Sequence, residues 1–274
     1  MLPAGERMTH SMKELTRFKL KLPDAPVRGH LTSGGRDVGA DPKSNDYEKV
    51  VREYATPKTR DSRTMLLVDA TGSMAPHWDH LKGNLEGIVG RLLQVGGRPY
   101  LKFVGYRDDC DGDRVIQQSA WHNDAAKLKE FIAGVQCQGG GDWPEAVDRA
   151  LRVAVDDQDG ATSVVLIGDA PPHSQRGGET EAALLAKRNC PVYSVVVGGA
   201  EDTRRAFGEI SRLSGGKTIE LTKLDELYDV LGVVLARGMG DSAFLNYLNR
   251  YQTRLGSDAA AAARLLAPGG GSGR

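Results

Sequence analysis

Cysteine is scarce in this chain. Cys110, Cys137 and Cys190 are the only three in 274 residues, and their spacing supports neither a disulfide framework nor a cysteine-ligated metal. Charge of one sign is lacking too, with 36 Lys and Arg against 36 Asp and Glu. The basic surplus that nucleic acid or an anionic membrane surface demands is therefore missing. No apolar run is long enough to cross a bilayer. The opening residues, Met1-Leu2-Pro3-Ala4-Gly5-Glu6-Arg7, lack the apolar core of a secretory signal. These absences set the expectation of a cytoplasmic protein that binds neither nucleic acid nor membrane. Gly-x-Ser-x-Gly, the phosphate-cradling Gly-x-x-x-x-Gly-Lys-Ser/Thr and the kinase signatures are absent as well, and no nucleophile–base pair with an orienting third group is evident.

What is present is an alternation of strand and helix patterns. Residues 1–60 form a prelude. Phe18, Leu20 and Leu22 alternate with charged residues as in a short strand, 23–46 are loop-like, and Tyr47, Val50, Val51 and Tyr54 mark an amphipathic helix before Pro57. We expect this extension to pack on the body. From Thr64, strands are expected at 65–68, 100–106, 115–121, 163–167, 192–197 and 217–221. Helices are expected from 81 to 93, 124 to 131, 144 to 155, 182 to 187, 203 to 213 and 225 to 236. Repeated βα units of this length imply a Rossmann-like, doubly wound and mainly parallel sheet, and the close pair around Asp111-Gly112 supplies one antiparallel edge strand. The body spans 61–238. Residues 239–274 read as one more helix, carrying Phe244, Leu245, Leu248 and Tyr251, and then a disordered Gly/Ala-rich tail.

The chemistry concentrates at Thr64-Met-Leu-Leu-Val-Asp-Ala-Thr-Gly-Ser-Met74. An apolar strand stops at Asp69, turns through Gly72 and feeds a helix, which is how open α/β sheets build ligand sites at strand carboxyl ends. Asp69, Thr71 and Ser73 bring hard oxygens at alternate positions and suit a hard divalent cation.

This stretch resembles the metal-ion-dependent adhesion site of von Willebrand factor A domains. Gly105-Tyr106-Arg107-Asp108, Gly139-Gly140-Gly141-Asp142-Trp143-Pro144-Glu145 and Gly168-Asp169-Ala170-Pro171-Pro172-His173 follow in the family's order and are similar to A domains found beside alpha-type protein kinases. The resemblance implies the A-domain fold and a cation held by Asp69, Thr71, Ser73 and Asp169. Mg²⁺ is the expected ion, with Mn²⁺ or Ca²⁺ as alternatives. Where the family places a threonine in its second loop, this chain has Gly141 followed by Asp142. Asp142 is either a further ligand or, with Pro144 and Glu145, the cap of the next helix.

The function that follows is a non-catalytic, metal-dependent protein-interaction module. Its partner is another protein, reaching the ion through a side chain such as a carboxylate, and a rim of Tyr106, Asp108, Trp143 and His173 surrounds the contact. Two alternatives stand beside it: a Mg²⁺-dependent phosphoryl-transfer hydrolase of haloacid-dehalogenase type, which would need an Asp where Thr71 stands, and a scaffold with a vestigial metal site. His77 and His80 at i, i+3 carry the weaker suggestion of a softer metal.

Overall fold

The run before Asp69 is apolar at every position because both of its faces are covered. Leu66 and Val68 belong to one buried core and Met65 and Leu67 to the other, all four at most 2% exposed. The computed structural model describes residues 62–96, 98–141, 143–174 and 176–268. The strand and helix expected within 1–60 lie outside them, as does Asp142.

In chain order the regular elements are β1 (Ser62–Asp69), α1 (Ala75–Leu93), β2 (Pro99–Tyr106), β3 (Ile116–Gln118), α2 (Ala125–Gly134), α3 (Val147–Asp156) and β4 (Ser163–Gly168). They continue with α4 (Glu179–Lys187), β5 (Val192–Val197), α5 (Glu201–Ser214), β6 (Thr218–Leu221), α6 (Leu227–Gly238), α7 (Asp241–Tyr251) and α8 (Ser257–Leu266). The strands form one sheet in the order β3-β2-β1-β4-β5-β6. All neighbours are parallel except β3, which runs antiparallel to β2. This is the Rossmann-like, mainly parallel sheet with one antiparallel edge strand that the alternation implies. The chain leaves β1 towards β2 and later crosses back to place β4 on the other side of it. A topological switch point therefore lies at the carboxyl end of β1, where such sheets open a crevice.

Side-chain pattern sorts the helices onto two faces. Trp78, Leu81, Leu85, Ile88 and Leu92 of α1 pack with residues of α2, α6, α7 and α8 on one face. Val147, Ala150 and Leu151 of α3 pack with Leu185 of α4 and Phe207 and Ile210 of α5 on the other. Each large apolar side chain buried in this way contributes about 1.5–3 kcal/mol. Arg91 ties α1 to the C-terminal helices. It pairs with Asp229 at 2.6 Å and lies over the rings of Tyr228 and Tyr251 at 4.2 and 4.9 Å.

Three expectations need correction. The helix expected from Pro144 begins at Val147, with Ala146 rather than a residue before Pro144 at its N-cap. The Glu145 N–H goes instead to Pro171 O and the Ala146 N–H to Arg107 O, each at 2.9 Å, which fastens this segment between two strand ends. The second hairpin strand is regular only over Ile116–Gln118, and its pairing resumes where His122 meets Leu101. The alanine-rich stretch expected to be mobile is helix α8, with Ala259, Ala262 and Leu266 buried.

The α8 helix is ordered by carboxylates that exchange caps. Glu226 Oε2 accepts from the Asp258 N–H at 2.7 Å, and Asp258 Oδ2 accepts from the N–H groups of Thr222 and Lys223 at 2.7 and 3.0 Å. Asp258→Ala strands two backbone donors at the end of β6. It should lower stability by about 1–3 kcal/mol, seen in urea as a lower midpoint with an unchanged slope.

Candidate metal centre

Asp69 ends β1 with no exposed surface. Its backbone O accepts from the Trp78 indole N–H at 2.6 Å, which clamps the turn to α1. Its Oδ1 accepts from both the N–H and the hydroxyl of Thr71, at 2.9 and 2.7 Å. Thr71 Oγ1 lies 3.2 Å from Ser73 Oγ. Since the Thr71 hydrogen goes to Asp69, Ser73 supplies the hydrogen of that second bond. Both hydroxyl hydrogens are thus spent within the loop, and each oxygen keeps at least one lone pair. Thr71 is buried and Ser73 exposed, so the cluster opens to solvent at Ser73.

β4 brings the second carboxylate. Val68 pairs with Ile167, which sets Asp69 level with Gly168 and beside Asp169. The approach is close because position 168 has no side chain. A Cβ there would lie 2.4 Å from the Tyr106 hydroxyl and 3.3 Å from Asp69 Cβ. Thr203 at the start of α5 donates its hydroxyl to Asp169 O at 2.8 Å and holds the turn.

The second loop closes over the first. The Gln138 N–H donates to Ala70 O at 3.2 Å, the Gly140 N–H to Asp111 Oδ2 at 3.1 Å and the Gly141 N–H to Asp108 Oδ2 at 2.9 Å. Gly140 has φ +84°, and a Cβ on it would sit 3.2 Å from Glu145 Oε1 and 3.4 Å from Thr71. Only glycine passes between these side chains in that backbone conformation.

The electrostatics of this rim are those of crowded like charges. Burial pushes the Asp69 carboxyl up to about 7; the two Thr71 hydrogen bonds oppose the rise and neighbouring Asp169 reinforces it. Asp69 Oδ2 is buried and has no hydrogen-bond partner. Glu145, absent from the sequence-based set, is 3% exposed with Oε2 likewise unpartnered. Burial, followed by the charges of Asp69, Asp108, Asp169 and Asp111, lifts it to about 9. Among the described residues no three His, Cys, Asp or Glu side chains converge tightly enough to hold a metal unaided. The oxygens gathered at this rim are two hydroxyls and two carboxylates, one of which carries an orphaned buried oxygen, a donor set of the hard type that could hold a cation.

Asp69, Thr71, Ser73 and Asp169 thus come together, whereas Asp142 lies outside the described residues. The rim divides. Trp143 is 49% exposed, its indole N–H donating to Asp202 Oδ2 at 2.8 Å, and the His173 side chain is 33% exposed. Tyr106 and Asp108 are not contact surface. Tyr106 is wholly buried beneath Gly168 and donates its hydroxyl to Ile167 O at 3.1 Å. Asp108 is buried rather than a solvated turn residue, and it takes His173 Nε2 at 2.9 Å on Oδ1 and Cys110 Sγ at 3.0 Å on Oδ2. Burial works against its charge. The hydrogen bonds from Cys110 and the Gly141 and Asp109 N–H groups, with His173, overcome it and hold the carboxyl down at about 2. Cys110, Cys137 and Cys190 are unpaired. Burial also lowers the His77 pKa against the pull of Asp169.

Residues 64–223 match the von Willebrand factor A domain family. A putative ariadne-like RING finger protein of Acanthamoeba polyphaga mimivirus is 30% identical over 181 residues, covering 59% of this chain and 18% of that protein. Hemicentin-2 of Mus musculus is 25% identical over 177 residues, 61% of this chain and 3% of that protein. The chain thus spans under a fifth of the length of either relative. Among solved structures, proximal thread matrix protein 1 from the mussel byssus superposes with a TM-score of 0.50 at 16% identity, over 65% of this chain and 45% of that one, a likeness of fold.

Folded Asp69 keeps its proton up to about 7, while the unfolded residue loses it near 3.8. The folded state therefore binds more protons between those values, and the metal-free protein loses stability as pH rises through that window. In a chelator at pH 8, Asp69→Asn should stabilise the protein by up to about 4 kcal/mol. Its amide oxygen can still accept from Thr71, and its NH₂ replaces the orphaned oxygen. Glu145, lifted in the same direction, adds a loss of the same sign over this range, so thermal melts from pH 4.5 to 8 check the slope in the parent and its reduction, not its disappearance, in the variant.

Proposed function

The chain belongs to the von Willebrand factor A family, whose domains mediate protein–protein interaction and are typically non-enzymatic, and from that premise we propose a non-catalytic interaction module that engages its partner through a divalent cation. Asp69, Thr71, Ser73 and Asp169 would hold the ion, and Asp142 is proposed with them from the sequence alone. The observation that carries this reading is the buried, unpartnered Oδ2 of Asp69 beside Asp169, next to two hydroxyls whose hydrogens are spent and whose oxygens each keep at least one lone pair. Mg²⁺ is the preferred ion because all the donors are hard oxygens; Mn²⁺ and Ca²⁺ share that preference. When bound, the ion supplies a Lewis-acidic position that an oxygen-bearing side chain of another protein can complete.

The residues divide the work. Asp69 anchors the turn and aims Thr71. Ser73 stands at the solvent-facing edge, where a partner arrives. Trp143, steadied by Asp202, and His173, steadied by Asp108, supply contact surface beside it. The surrounding carboxylates weaken the pull on an acidic partner group relative to a neutral oxygen. The hydrolase alternative needs a nucleophilic carboxylate presented to substrate. Asp69 has no exposed surface, and its Oδ1 is occupied by Thr71. No helix among the described residues is long and apolar enough to cross a membrane. A cytoplasmic setting, absence of nucleic-acid binding and kinship with kinase-associated A domains belong to this proposal, resting on charge balance and motif wording.

A ligand that binds only the folded state stabilises it by mass action. At one hundred times its Kd, Mg²⁺ should raise the melting temperature by roughly 5–10 °C. Because protons compete for Asp69, the rise should be larger at pH 8 than at pH 5.5. Ser73→Ala, which removes an exposed hydroxyl, should shrink the Mg²⁺ effect without lowering stability in a chelator. An unchanged melt with Mg²⁺, Mn²⁺ and Ca²⁺ alike would overturn the proposal in favour of a vestigial site.

A further inference from the structure

We infer that Glu145 belongs to the cation site proposed above, on which this inference rests, as an acceptor for water carried by the bound ion. The backbone of this residue is fastened from two sides. Its N–H donates to Pro171 O in the loop after β4, and the next N–H donates to Arg107 O at the end of β2. Both loops belong to the rim that holds Asp69 and Asp169, and Glu145 pairs as an isolated bridge with Pro172. The side chain is thereby hung inward at 3% exposure. Its Oε1 and the Cβ of Thr71 both lie within 3.4 Å of the point where a Gly140 side chain would begin, which sets the carboxylate against the loop that carries the hydroxyls.

Among the described residues no counter-charge reaches it. Arg107, whose backbone touches this segment, spends its guanidinium on Arg114 O, Gln117 Oε1 and Gln136 O. Arg149 on α3 pairs with Asp109. Glu145 Oε2 is left buried and unpartnered, an arrangement that native structures avoid unless something outside the chain completes it. Direct ligation is not the fit, because no three acidic side chains among the described residues converge tightly enough. One intervening water closes that gap. Mg²⁺ retains several of its waters when protein-bound, and an acceptor placed behind them fixes their orientation.

The test is calorimetric titration of Mg²⁺ and of Mn²⁺ into the metal-stripped full chain and its variants, with thermal melts in chelator as a control for folding. Glu145→Gln, an isosteric change, should weaken binding of both ions at least about tenfold, while its melt in chelator stays at or above the parent's. Glu145→Asp keeps the charge but withdraws it by one methylene, and should weaken binding as well. Affinities within about twofold of the parent in both variants would overturn the inference while leaving the metal site standing. Parent-like affinity in the Asp variant alone would also overturn it, by reducing Glu145 to a distant charge. Failure of the underlying reading looks different: the parent itself shows neither binding heat nor a melting shift, or Asp69→Asn binds as the parent does.

Discussion

A carboxylate removed from water must find positive charge or hydrogen-bond donors, and Asp69 finds only half of what it needs. Thr71 satisfies one oxygen, the other faces Asp169, and burial with like-charge repulsion pushes the acid up to about 7. The surrounding structure makes this unfavourable placement persist. The Asp69 backbone is clamped by Trp78 from α1, and its strand is paired on both sides. The fold thus stores destabilisation at one rim, and such stored strain commonly marks a functional site.

The geometry follows from what each strand end presents. β1 offers oxygens, β4 offers a second carboxylate on a turn held by Thr203, and β2 offers no ligand but a support. Asp108 at that end is held down at about 2 and uses its negative charge to fasten the glycine loop, Cys110 and His173. Two aspartates on one rim are therefore driven to opposite extremes, and their roles separate accordingly. The ionised Asp108 shapes the protein, while Asp69 is left frustrated at the place proposed for the cation.

Much of this was legible in the sequence. The apolar runs before Asp69 and Asp169 mark strands buried on both faces, and alternating βα units dictate a parallel sheet, so the convergence of Asp69, Thr71, Ser73 and Asp169 follows from topology. Tyr106 was misjudged because an aromatic at a strand end reads as rim surface; only the missing side chain at Gly168 reveals the slot that swallows it. Glu145 was hidden by its resemblance to a helix cap, and what moves the helix start to Val147 is hydrogen bonding to residues 107 and 171, beyond the reach of local pattern. The α8 helix was missed for a related reason. Alanines look too small to anchor a helix, yet Glu226, more than thirty positions upstream, supplies its cap.

Asp69 and Asp169 are a hundred positions apart, and the strands bearing them become neighbours only after the chain has run out to the β3 edge and crossed back. Contacts of such long range are the slow ones to form. The cation proposed between them could not seed collapse, because the two carboxylates do not meet until the central sheet is assembled. Its influence would fall on how long the native state survives rather than on how quickly it is reached: an ion captured late would brake unfolding and leave the rate of folding nearly untouched.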